Sequence, residues 1–145
     1  MRRRSVRLAA GVLVGTMLFA GCGGKGGSEA GDGTRNCDGI PLSSTAIRLP
    51  GDFPIPSAAA LTTSSKAGPS QVVEGYWEGD LESAYRGWTD AFEGAGFAIL
   101  FDEIEEQDSE ISYLSPDQSS TGQVALRSEC RQGDRTFVHI TNRPA

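Results

Sequence analysis

Only one histidine, His139, and three cysteines, at positions 22, 37 and 130, occur among the 145 residues. Two thiols 93 positions apart and a lone imidazole lack the ligand-pair spacing of a zinc site, and no nucleophile stands near His139 in sequence. Phosphate-cradling glycine motifs and the Gly-x-Ser-x-Gly elbow are missing from residues 22–145, although the chain holds 19 glycines. Basic charge is scarce as well. Once the four arginines of residues 1–21 are set aside, nine Lys and Arg face nineteen Asp and Glu, a formal charge of −10. A surface of that sign is repelled by nucleic-acid backbones, so no nucleic acid is expected as a partner. Long apolar runs are absent too: residues 8–19 are uncharged but contain Gly11 and Gly15, and a membrane-crossing helix needs roughly 20 apolar residues.

What is present at the start of the chain has a different meaning. Arg2, Arg3, Arg4 and Arg7 precede the short apolar run, which ends in Leu18, Phe19, Ala20, Gly21 and Cys22. A basic head, a short apolar stretch and small residues at a cleavage point make an export signal over residues 1–21. The junction resembles the lipobox of bacterial lipoproteins, with Phe19 where that family usually has Leu. The resemblance implies that Cys22 receives a diacylglycerol through its sulfur and becomes the new N-terminus. Two or three acyl chains hold a protein firmly at a bilayer, so the membrane is an expected partner through lipid on Cys22. The expected location is the extracytoplasmic face of the cell membrane.

In an exported chain, Cys37 and Cys130 are expected to pair, since disulfides persist outside the reducing cytoplasm. A zinc site is the alternative for these cysteines, and their separation of 93 positions weighs against it. Residues 23–36 hold six glycines and one aliphatic side chain, Ala30, too little to bury a core. With Cys22 they form an expected flexible tether, 22–36, with a reach of about 20 Å. Residues 37–145 are then a single domain.

Periodicity predicts the elements of that domain. Asp80 is a good helix N-cap, and Leu81, Ala84, Tyr85, Trp88, Ala91, Phe92 and Ala95 recur on one helical face, so residues 81–95 read as an amphipathic helix. Strands are predicted at 71–77, 97–101, 110–114, 123–131 and 135–142, with an edge strand at 58–63. On the predicted alternation Val124, Leu126, Ser128 and Cys130 share the core face, whereas Phe137, His139 and Thr141 point away from it. The prolines of residues 49–56 make an extended lead-in, because each lacks an amide donor. The fold class is α+β: an antiparallel sheet of about four to six strands, one apolar face covered by the helix and the polar face open to water. This succession resembles small envelope lipoproteins of high-GC bacteria, a resemblance that implies no activity.

Three groups invite a chemical reading. His139 reads as an exposed strand histidine. Asp102, Glu103, Glu105, Glu106, Asp108 and Glu110 read as a solvated hairpin, with weak calcium binding as the sharper alternative. Tyr76, Trp77, Tyr85 and Trp88 read as core, with a ligand groove between strand and helix as theirs. No catalytic residue, metal site or cofactor is assigned. The expected function is a lipid-anchored binding module that takes an envelope protein or a small ligand. Two further readings stay open: an envelope hydrolase whose site assembles only in the fold, and a structural spacer.

Overall fold

A computed structural model describes residues 35–145, so the signal at 1–21, Cys22 and the tether up to residue 34 lie outside the described residues. Asp80 starts the helix as its sequence position predicts: its carboxylate accepts the Ser83 amide proton at 2.8 Å, and α1 runs Leu81–Gly94. Gly96, at φ +76°, lets the chain reverse, while the amides of Ala95, Gly96 and Phe97 close onto the last carbonyls of the helix. The turn aims Phe97 back into the core beneath Phe92.

Six strands surround this helix in sequence. They are β1 (Ala59–Ala67), β2 (Ser70–Glu78), β3 (Ala98–Ile104), β4 (Asp108–Leu114), β5 (Ser120–Arg127) and β6 (Arg135–Pro144). In space they form one sheet in the order β1-β2-β6-β5-β4-β3, every neighbouring pair antiparallel. After β2 the chain crosses through α1 to the far edge, and three hairpins then return it until β6 pairs with β2. β1 and β3 are consequently the two edges.

The core lies between α1 and one face of the sheet. Ala84, Trp88 and Phe92 from the helix meet Val73, Ile111, Tyr113, Val124, Leu126, Val138 and Ile140 from the strands, all without solvent exposure. Burying an aliphatic or Phe side chain of this kind stabilises the fold by about 1.5–3 kcal/mol, before the cost of ordering the chain. Gly87 interrupts the helix where the Trp77 ring lies against its backbone; a Cβ there would overlap the indole. A glycine that costs the helix about 1 kcal/mol thereby admits a tryptophan to the core.

Three expectations need correction. The lead-in is no mere approach to the fold, because Phe53 is buried and sits edge-on to Phe92, Phe97 and Tyr113 at 5.4–6.0 Å between ring centres. Cys130 does not share a face with Val124 and Leu126. β5 ends at Arg127, and the chain then turns so that Cys130 bridges Arg35 and packs with Cys37, Tyr76 and Phe137 on the opposite face. That face is therefore covered at one corner instead of open throughout. Its cover includes the end of the expected tether, since Arg35 pairs with Glu129 at 2.7 Å and lies over the Phe137 ring.

Candidate binding surfaces

The cysteine pairing is as expected: Cys37 and Cys130 form a disulfide, with Cα atoms 5.5 Å apart. It pins the start of the described chain to the end of the sheet where β2 finishes and β6 begins. The Arg135 guanidinium reinforces this corner by donating to the Cys37 carbonyl at 2.6 Å and stacking on the Tyr76 ring.

The other residues singled out from sequence are dispersed by the fold. His139 sits on the outer face of β6, opposite Glu74 of β2 and Ala125 of β5, with Nδ1 3.1 Å from the Glu74 carboxylate. No hydroxyl is among its hydrogen-bond partners, so imidazole and carboxylate meet there without a nucleophile. The acidic residues are spread along the β3–β4 hairpin: Asp108 pairs with Arg127 at 3.1 Å and Glu110 accepts from Gln123 at 2.8 Å. No group of three or more His, Cys, Asp or Glu gathers as a metal site among the described residues.

The four aromatic residues do not line one groove. Trp77 and Trp88 belong to the main core, whereas Tyr76 lies on the other face beneath the disulfide. Tyr85 is half-buried, and its hydroxyl donates to the Asp102 carboxylate, which holds the phenol above its ordinary pKa because ionisation would forfeit that hydrogen bond and then place two negative charges together.

One surface stands apart, and sequence reasoning passed over it. β3 pairs with β4 on one side only, and its outer edge has no partner strand among the described residues. A bulge between Ile99 and Phe101 breaks the alternation, leaving Leu100, Phe101 and Ile104 at 59%, 51% and 42% exposure. The adjacent pair Leu100–Phe101 was the available clue: two consecutive large apolar residues cannot both face one core without such a slip. Glu103 stands opposite Glu110, so the strand carries a negative field that no cation beside it neutralises in register. Where β3 ends, a groove of about 460 Å³ opens between strand and helix, with Leu81, Tyr85 and Ile104 as apolar walls and Glu82, Glu105 and Glu106 at its rim. Arg86, also on this rim, is engaged by Glu82 at 3.2 Å.

No helix among the described residues is long and apolar enough to cross a membrane. No family model matches the chain, and no curated protein matches it either, so no residue role is carried over from a relative.

Proposed function

We propose that the protein is a lipid-anchored, extracytoplasmic interaction module, non-catalytic in itself, and that the β3 edge is the surface it offers. The observation that carries this reading is the unpaired edge with its three exposed apolar side chains. An edge strand adds a further strand through main-chain hydrogen bonds, and alternate side-chain pockets select what is added. The occupant is an extended segment of an envelope protein with Lys or Arg beside apolar residues. Its cations meet Glu103, Glu105 and Glu106, and its apolar side chains cover Leu100, Phe101 and the groove. A second copy of this chain is the poorer fit, because its β3 brings the same acids, Asp102 and Glu103, to an edge that is already negative.

Export is supported by the disulfide, which persists in an oxidising compartment, and by Cys22 at the end of a short apolar run after four arginines. The exposed apolar edge weighs against a structural spacer, and His139 with only Glu74 beside it weighs against a hydrolase. The test is a nuclear magnetic resonance titration of the mature protein with a decapeptide alternating Lys and Val. Shifts confined to β3, the groove and their neighbours are expected, with loss of binding in Glu103→Lys/Glu105→Lys. An equal response to a Glu and Val peptide, or self-association through β3, refutes the proposed occupant.

A further inference from the structure

Eight Lys and Arg lie among the described residues, and four of them, Arg35, Arg86, Arg127 and Arg135, are held in ion pairs with acids. Three of the other four, Arg48, Lys66 and Arg143, line a single cleft of about 600 Å³. They arrive from three separate places: the segment just before the lead-in, the end of β1 and the end of β6. No Asp or Glu is among the residues that line it, in a domain where acids outnumber bases. Of the two acids nearest in sequence to its lining residues, Asp117 is engaged by Ser115 and by Ser119, and Asp52 is not a lining residue.

Three cations drawn together without an acid repel one another, and a bound anion removes that cost. A second observation points the same way. Gln71 and Ser120 are among the residues that line the same cleft, and Gln71 Oε1 and Ser120 Oγ are buried atoms with no hydrogen-bond partner. A serine hydroxyl donates readily to an anionic oxygen, and a 180° turn of the Gln71 amide presents its NH2 instead of its oxygen. Unpaired buried polar atoms in a native fold call for an explanation, and a ligand supplies one.

We infer that this cleft binds a phosphate-bearing organic ligand. Arginine offers a planar fork to two phosphate oxygens and lysine a point charge, a set of donors suited to a phosphate ester. Charge alone does not account for the cleft, because Leu49, Pro50, Pro69 and Pro144 add apolar walls, and its volume exceeds that of a bare phosphate ion. The ligand thus carries a phosphate and an uncharged organic part. The cleft lies where β2 starts and β6 finishes, whereas the disulfide lies at the opposite ends of these strands. From Arg135 to Asn142 the two sites are about 23 Å apart by strand rise. The cleft shares no residue with the β3 edge and stands independently of the function proposed for it.

The same chemistry is found in a phospholipid headgroup and in a soluble phosphorylated molecule, and two arms of one experiment separate them. The mature lipoprotein is reconstituted in phosphatidylcholine vesicles and titrated with glycerol phosphate while the Ser120 and Asn142 amide resonances are followed. In the second arm the vesicles contain phosphatidylglycerol and no soluble ligand is added. Saturable shifts in either arm, weakened about tenfold by each of Arg48→Gln, Lys66→Gln and Arg143→Gln, are expected. Arg131→Gln, which removes the remaining unpaired cation away from the cleft, leaves binding unchanged, as does Glu103→Lys/Glu105→Lys on β3. Circular dichroism confirms that each variant is folded. No shift in either arm, an equal response to glycerol, or binding retained in the triple glutamine variant overturns the inference. Sulfate binding as tightly as glycerol phosphate overturns the phosphate-ester assignment and leaves a counter-ion site.

Discussion

β1 and β3 border the same sheet, but residues 39–49 run along the first and no described segment runs along the second. The Leu42 amide donates to the Leu61 carbonyl at 2.7 Å, the Arg48 amide donates to Ser64 Oγ at 3.0 Å, and Gly39 lies against Thr62. The covered edge is itself polar, with Thr62, Thr63, Ser64, Ser65 and Lys66 in succession, whereas the bare edge carries Leu100, Phe101 and Ile104. Proteins ordinarily cover or charge a strand edge to keep other chains from adding to it. Here cover has gone to the strand whose side chains least attract a partner. β3 is guarded by a bulge and by acids, which turn away other acidic strands and leave a basic one free to approach.

The largest expected disturbance of this asymmetry comes from the fastening of the cover. Replacing both partners, Cys37→Ser with Cys130→Ser, should remove about 4–5 kcal/mol on the chain-entropy account of a loop of this length. A denaturant midpoint measures that loss, and hydrogen exchange should show the outer amides of β1 approaching the rates of β3. Next in size is Phe53→Ala. It empties the aromatic nest below the lead-in and should cost about 3–4 kcal/mol by the same measure, with β1 amides again affected more than those of β3.

A smaller effect is expected at the groove beside the bare edge. Asp80→Ala removes the cap of α1 and should cost about 1 kcal/mol, read as a lower thermal midpoint and faster exchange of the Ser83 amide. Smaller still for stability is Phe101→Ser, which should change the unfolding free energy by less than about 0.5 kcal/mol and yet weaken capture of the basic peptide. If Phe101→Ser destabilised the fold as much as Phe53→Ala, β3 would be a concealed core strand and the contrast between the edges would disappear.

The last prediction concerns acid. Hydrogen bonds from the Ser115 hydroxyl and from the Ser119 amide and hydroxyl hold the exposed Asp117 carboxyl at a pKa of about 2. A group depressed in the folded state stabilises it above the unfolded value near 3.9, and that contribution fades as pH falls from there toward 2. Asp117→Asn should therefore flatten stability across this window. A carbon-detected titration of the Asp117 carboxyl, compared with acid unfolding of both proteins, measures it.

Much of this architecture was legible in periodicity. The stripe from Leu81 to Phe92, the cap at Asp80 and the alternation of Val124, Leu126, Val138 and Ile140 each arise from local geometry, and each appears where local geometry demands. The parts that escaped depend on contacts far apart in the chain. Phe53 looked peripheral because prolines surround it, and only the assembled core shows the space that it fills. Cys130 misses the face that alternation predicts because β5 ends at Arg127, four residues before the expected end at 131, and alternation has no meaning once the ladder ends. Arg48, Lys66 and Arg143 share no spacing, so nothing in one dimension announced their convergence. The exposure of β3 lay between these cases: Leu100 beside Phe101 signalled an irregularity without revealing which way it turned.

The central claim is that this domain is displayed outside the cytoplasm on a lipid. The most direct test is the intact mass of the native protein extracted from membranes. The account predicts a chain that starts at Cys22, carries acyl groups, and weighs two hydrogens less than its reduced form because Cys37 and Cys130 are joined. A cytosolic, unacylated chain that retains Met1 and reduced cysteines would contradict it.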